Sequence, residues 1–146
     1  MNKNAPIVKI LLVDDSEQTR ECLGHFLMME QWEVVPVADG LEAIERLRQE
    51  GPSFALVISD VEMPRLDGWG LLAWVREHDA ALPVVLMSGG VPERFVRTAR
   101  RLGARGALPK PFEFKKLGAL LESMFDLAGQ PRSGFYCSET SAAMAA

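Results

Sequence analysis

Five short apolar runs recur along this chain, and a segment of helical periodicity follows each one. The first, Val8 to Val13, is broken only by Lys9, as expected of a strand covered on both faces. Glu33 to Val37, Phe54 to Ile58, Pro83 to Met87 and Gly106 to Leu108 are the other four. Apolar stripes at helical spacing separate them. Cys22, Leu23, Phe26 and Leu27 form the first, and Leu41, Ile44 and Leu47 the second. Leu71, Leu72 and Val75 form the third, and Phe95, Val96, Ala99 and Leu102 the fourth. The last runs from Leu117 through Leu120, Leu121 and Met124 to Phe125. Ser16 is placed to cap the first helix, and Asp67-Gly68 to open the third. Pro92 fits the first turn of the fourth, where its missing N–H costs nothing. Five βα units of this length predict a doubly wound α/β domain, with helices on both faces of a five-stranded parallel sheet. Periodicity leaves the strand order open.

A chain of 146 residues is about one domain, large enough to bury its own core. The net charge of −4 and the lack of a long basic stretch argue against direct nucleic-acid contact. Arg94, Arg97, Arg100, Arg101 and Arg105 are a local exception that reads as a solvated helix face or a partner surface. No apolar run approaches the ~18–20 residues that cross a bilayer, so no membrane insertion is expected. Met1 to Pro6 lacks the apolar region of a signal peptide, and neither Cys22 nor Cys137 reads as part of a disulfide framework. A reducing cytoplasm fits both. After about Ala128 the amphipathic period stops. Residues 5–128 are therefore expected to form the domain, and 129–146 a C-terminal extension or linker stub. Met1 and that tail suggest a stand-alone unit.

The chemistry collects where strands end. In an open parallel sheet the carboxyl ends of strands frame the ligand crevice. Asp14-Asp15 follow the first run, Asp60 the third, Ser88 the fourth and Lys110 the fifth. Three acids, a hydroxyl and an ammonium at one rim suit a divalent metal and a phosphoryl group. Adjacent carboxylates need a counter-charge if they are buried, and Mg²⁺ supplies one through carboxylates, waters and phosphate oxygens. The alternative is a solvated turn ahead of the Ser16 cap. Asp60 can ligate the same metal, attack phosphorus to give a mixed anhydride, or simply sit in a turn. Ser88 can hydrogen-bond a phosphoryl oxygen or serve helix capping. Lys110 lies between two prolines, with Lys110-Pro111 a candidate cis bond, and its ammonium suits phosphate or is an ordinary exposed charge. His25 and His78 have no partner at metal spacing. Trp69 follows Asp67-Gly68 and is expected near the rim, while Trp32 and Trp74 read as packing residues. No phosphate-binding glycine loop is present, so nucleotide binding is not expected.

Together these pieces resemble the receiver domain of bacterial two-component response regulators. The matching stretches are Ile10 to Ser16, Asp60 to Gly68, Leu86 to Gly89, Leu102 to Ala104 and Pro109 to Phe112, covering roughly Val8 to Ala128. The resemblance implies a flavodoxin-like fold with sheet order 2-1-3-4-5. It implies Asp60 as phosphoacceptor, Ser88 as switch hydroxyl and Lys110 as partner of the phosphoryl group. Asp14, Asp15, Asp60 and the backbone carbonyl of Glu62 would hold Mg²⁺, with Mn²⁺ as the substitute ion. The implied donor is a phosphohistidine on a sensor histidine kinase or a histidine phosphotransfer protein. Output would pass to an unknown downstream protein through the face of helix 4, strand 5 and helix 5, or through a phosphorylation-dependent homodimer.

Two positions depart from or qualify that pattern. The resemblance implies Tyr, Phe or His three residues before the lysine, and Ala107 stands there. A methyl group cannot signal by changing rotamer, so the switch is expected to run mainly through the loop Ser88 to Gly90. Glu62 lies two residues after Asp60, a position that the resemblance places at the entrance attacking water would use, and Glu62→Ala is expected to change the phosphoryl lifetime. The leading expectation is a phosphoacceptor signalling module, not an enzyme beyond self-catalysed phosphorylation and autodephosphorylation. The alternatives are a receiver-like interaction scaffold with impaired switching, marked by Ala107, and a metal-dependent phosphotransferase or phosphatase. The latter places Asp-x-Asp after the first strand, where this chain has Asp14-Asp15-Ser16.

Overall fold

A computed structural model describes residues 8–126 and 129–137. The expected domain limits at 5 and 128, the opening residues 1–7 and the tail residues 138–146 lie outside the described residues. In chain order the elements are β1 (Lys9–Val13), α1 (Glu17–Met29), β2 (Glu33–Val37), α2 (Gly40–Glu50) and β3 (Leu56–Asp60). They continue with α3 (Gly68–His78), β4 (Val84–Ser88), α4 (Pro92–Arg101), β5 (Gly106–Pro109), α5 (Phe114–Met124) and β6 (Tyr136–Cys137). A single 3-10 turn, Gly51–Ser53, leads into β3.

All strands run parallel in the order β2-β1-β3-β4-β5-β6. This is the expected flavodoxin-like α/β sheet with one strand more than anticipated. The extra strand comes from the tail read as an extension, and it pairs with β5 through Gly106–Tyr136 and Ala107–Cys137. Its two residues carry no period that sequence could show.

The period of two along each strand sorts side chains onto two cores. Leu11, Val13, Val57, Leu86 and Ala107 face α2, α3 and α4, meeting Ile44, Leu71, Leu72 and Phe95. Ile10, Leu12, Ile58, Met87 and Leu108 face α1 and α5, meeting Leu23, Leu27, Leu117 and Leu121. Both faces of the central strands are therefore dry, which explains why those runs are continuously apolar.

The helix starts are local. Ser16 Oγ accepts from Thr19 N–H, Asp39 from Glu42 N–H and Asp67 from Gly70 N–H. Pro92 occupies the first turn of α4, and Lys110-Pro111 is cis, both as expected. Three stripe assignments fail. Leu41 is 46% exposed and Leu102 45% exposed, and Cys22 lies on the solvent side of α1. Each sits at a helix end or on the edge of its stripe, where spacing alone does not fix the inward direction. Among the described residues no helix is long and apolar enough to cross a membrane.

Candidate functional site

Register places the site. β1 and β3 are neighbours with Val13 opposite Ser59, so Asp14 and Asp60 emerge side by side. β3 pairs β4 with Asp60 opposite Met87, which puts Ser88 one step further along the same rim. β4 pairs β5 with Ser88 opposite Pro109, and the Lys110 N–H donates to the Ser88 carbonyl at 2.8 Å. Residues from four strands thus meet at one edge because the chain leaves each strand at the same level. The strands reach slightly further than their apolar runs, so Asp60 and Ser88 are the last residues of β3 and β4.

Asp14 is 1% exposed and Asp60 5% exposed, whereas Asp15 faces solvent. One carboxylate oxygen from each of the three lies within 4.8 Å of the others. Lys110 Nζ approaches Asp60 Oδ1 to 3.1 Å and Asp14 Oδ2 to 3.9 Å. These approaches are ion pairs by distance without hydrogen-bond alignment. Both oxygens are buried with no hydrogen-bond partner. The other Asp14 oxygen accepts from the Ser16 N–H at 2.8 Å, and Arg20 Nη1 donates to the Asp14 carbonyl at 2.6 Å.

Burial dominates the electrostatics. It pushes the Asp60 carboxyl up to about 6, with Asp14 and Glu62 adding to the rise and Lys110 opposing it. Burial likewise raises Asp14, against the Ser16 N–H and the Lys110 charge. One ammonium does not compensate two buried carboxylates and a third at the mouth. Buried oxygens with unfilled lone pairs, all hard donors, fit a small divalent cation such as Mg²⁺.

The Ser88 hydroxyl, buried at the rim, donates to Glu62 Oε1 at 2.7 Å and accepts from the Gly90 N–H at 3.1 Å. It does not cap α4, whose N-cap position is held by Val91, a residue with no side-chain acceptor. The sequence marked Glu62 as an entrance residue and, through its backbone carbonyl, as a metal ligand, but the contact of its side chain with Ser88, 26 residues away, left no signal in spacing. A second unforeseen contact pins the β3–α3 loop. Arg65, at a positive φ of 67°, forks onto Asp39 Oδ2 through Nε at 2.8 Å and Nη2 at 2.5 Å. Gly68 lets that loop turn back, because a Cβ there would lie 2.4 Å from the Asp60 carbonyl oxygen. Trp69 is half-buried, with its ring centroid 6.0 Å from that of Phe95 on α4. His25 is exposed on α1, and His78 stacks on Trp74. Among the described residues only the three aspartates gather as a metal-holding group.

Comparison with known proteins points the same way. The family described as response regulator receiver domain matches residues 10–122. Chemotaxis protein CheY of Treponema pallidum is 34% identical over 115 residues, spanning 78% of this chain and 80% of that protein. Response regulator protein FleR of Pseudomonas aeruginosa is 43% identical over 110 residues, 75% of this chain but 23% of its own length. Several other curated relatives are also longer, and the chain spans about half of the probable transcriptional regulators ycf27. Among solved structures, chemotaxis protein CheY4 of Vibrio cholerae superposes with a TM-score of 0.73 at 30% identity, over 81% of this chain and 98% of that one. The CheX-CheY-BeF3-Mg complex from Borrelia burgdorferi gives 0.75 at 27% identity, over 82% and 90%.

Proposed function

This chain belongs to the response regulator receiver domain family, and on that premise we propose that Asp60 is the phosphoacceptor of a two-component signalling module, served by Lys110 and Ser88. The observation that carries the assignment is the Asp60 carboxylate itself, buried at the sheet rim within 3.1 Å of an ammonium and beside two further acids.

An Asp60 oxygen attacks phosphorus in line. The bond from phosphorus to the donor breaks, its electron pair leaves with the imidazole of a phosphohistidine or with acetate, and an acyl phosphate remains on Asp60. Asp60 must be ionised to attack, and a carboxyl near 6 is mostly ionised at neutral pH. Lys110, already against Oδ1, follows the charge onto the phosphoryl oxygens. Asp14, Asp15, Asp60 and the Glu62 carbonyl would hold Mg²⁺ or Mn²⁺, which when bound neutralises charge on the transferring group. Ser88 exchanges Glu62 for a phosphoryl oxygen as its acceptor, and the loop to Gly90 moves with it.

The donor would be a sensor histidine kinase or a histidine phosphotransfer protein, met in the cytoplasm. The reading takes residues 5–128 as the receiver. Its output face is α4, β5 and α5, where Arg94, Arg97 and Arg101 are exposed and suit an acidic partner. Turnover of outside phosphate esters is not part of this reading. Incubation with acetyl phosphate and Mg²⁺, followed by intact mass, should add one phosphoryl group to the chain and none to Asp60→Asn. No gain by the native chain, or equal gain by the variant, overturns the assignment.

A further inference from the structure

The face assigned to output is already covered in part by this chain's own tail. After α5 the chain reverses, with Asp126 N–H donating to the Gln130 carbonyl at 2.9 Å and Phe125 bridging Pro131 in antiparallel fashion. It then runs along β5 as β6, with Tyr136 N–H donating to the Arg105 carbonyl at 2.8 Å. Every element of the face takes part. From the α4–β5 connection, Arg105 Nη1 donates to the Arg132 carbonyl at 2.6 Å, and Arg100 of α4 stands 5.7 Å from the Phe135 ring centroid. From α5, the Met124 carbonyl accepts from Arg132 N–H at 2.6 Å. Phe135 and Cys137 pack on one core and Tyr136 on the other. Gly106 keeps β5 open to this strand, since a Cβ there would lie 3.1 Å from the Tyr136 carbonyl oxygen.

We propose that residues 130–137 are a tethered strand that occupies the α4–β5–α5 face and leaves it when Asp60 is phosphorylated. The second half of this statement rests on the phosphoacceptor reading. Two of the elements that hold the tail connect to residues that meet the phosphoryl group. α4 follows the Ser88–Gly90 loop, and β5 runs directly into Lys110. Ala107 leaves no ring inside β5 to absorb a shift of α4. A shift of α4 relative to β5 therefore falls on the Arg100–Phe135 contact and the two-residue ladder. A ladder this short opens locally at small free energy, while its tether keeps the effective concentration high enough for it to close again. A partner that adds to the β5 edge, or docks across it, binds only after the tail has gone.

Cys137 sits in the strand, half-buried, and reports its release. In Cys22→Ser it becomes the sole thiol. The experiment treats this protein with a maleimide in acetyl phosphate and Mg²⁺ and reads phosphoryl and alkyl adducts in one intact-mass spectrum. Tyr136→Pro in the same background removes the Arg105 hydrogen bond and gives the released rate, and Phe135→Ala, which leaves the backbone hydrogen bonds in place, gives an intermediate one. The expected result is alkylation about tenfold slower than in Tyr136→Pro for unphosphorylated molecules, a free-energy difference of about 1.4 kcal/mol, rising severalfold in phosphorylated ones. Equal rates in both phosphorylation states overturn the proposal and leave the phosphoacceptor reading standing. So does an unphosphorylated rate equal to that of Tyr136→Pro. Absence of any phosphoryl adduct overturns both.

Discussion

Glu62 holds the hydroxyl that a phosphoryl group would claim, and it does so with a charge that also raises the Asp60 carboxyl. Its removal acts twice in one direction. Glu62→Ala frees Ser88 and deletes a negative charge beside an incoming anion, so beryllofluoride with Mg²⁺ should bind several-fold tighter, a gain of about 1 kcal/mol. Glu62→Gln keeps an acceptor for Ser88 and deletes only the charge, and should recover about half of that gain. A titration followed by Trp69 emission separates the two, and weaker binding by Glu62→Ala would contradict the assigned contact. Asp14, Asp60, Ser88 and Lys110 were legible because each ends an apolar run and a parallel sheet brings such ends together. The partner of Ser88 was not, because a contact between side chains 26 residues apart depends on which strands are neighbours.

At the scale of elements, the β3–α3 connection is the least tolerant part of the site. Gly68 N–H donates to the Val61 carbonyl at 2.9 Å, and a Cβ at Gly68 would meet the Asp60 carbonyl oxygen at 2.4 Å and Val61 Cα at 2.8 Å. Both obstacles are backbone, so neither can swing aside. Gly68→Ala should cost about 1–3 kcal/mol in urea unfolding and slow phosphorylation from acetyl phosphate by displacing the end of β3. A variant with native stability and native loading rate would show that the loop relaxes freely. Sequence announced this turn through Asp67-Gly68, and it announced the Ser16 cap of α1. It misplaced Leu41 and Leu102, whose direction is set by what packs against the helix edge, and it overlooked β6. A two-residue strand preceded by Pro131 and Gly134 has neither length nor alternation, and only the waiting edge of β5 makes it one.

For the whole molecule, the acid cluster is a stability cost that the fold carries for its chemistry. The Asp60 carboxyl is raised from an ordinary 3.8 to about 6, so the folded state binds that proton more tightly than the unfolded chain. The resulting stability is fully present below about pH 4 and is lost as pH rises through about 6, and raised Asp14 acts in the same sense. In chelator at pH 7, Asp60→Asn should therefore be more stable than the native chain by about 2 kcal/mol, several degrees in Tm. That advantage should shrink on acidification towards pH 4, and Mg²⁺ should raise the native Tm far more than that of the variant. Calorimetry at several pH values checks both, and a variant less stable than the native chain in chelator would refute the account.

The pocket draws one residue or more from each of β1, β3, β4 and β5, so Asp14 and Lys110 meet only after most of the chain has been threaded into place. A piece lacking any one of these strands lacks a member of the pocket. Receptivity to a message is thereby tied to completed architecture, and a half-assembled copy stays silent instead of sending a false one.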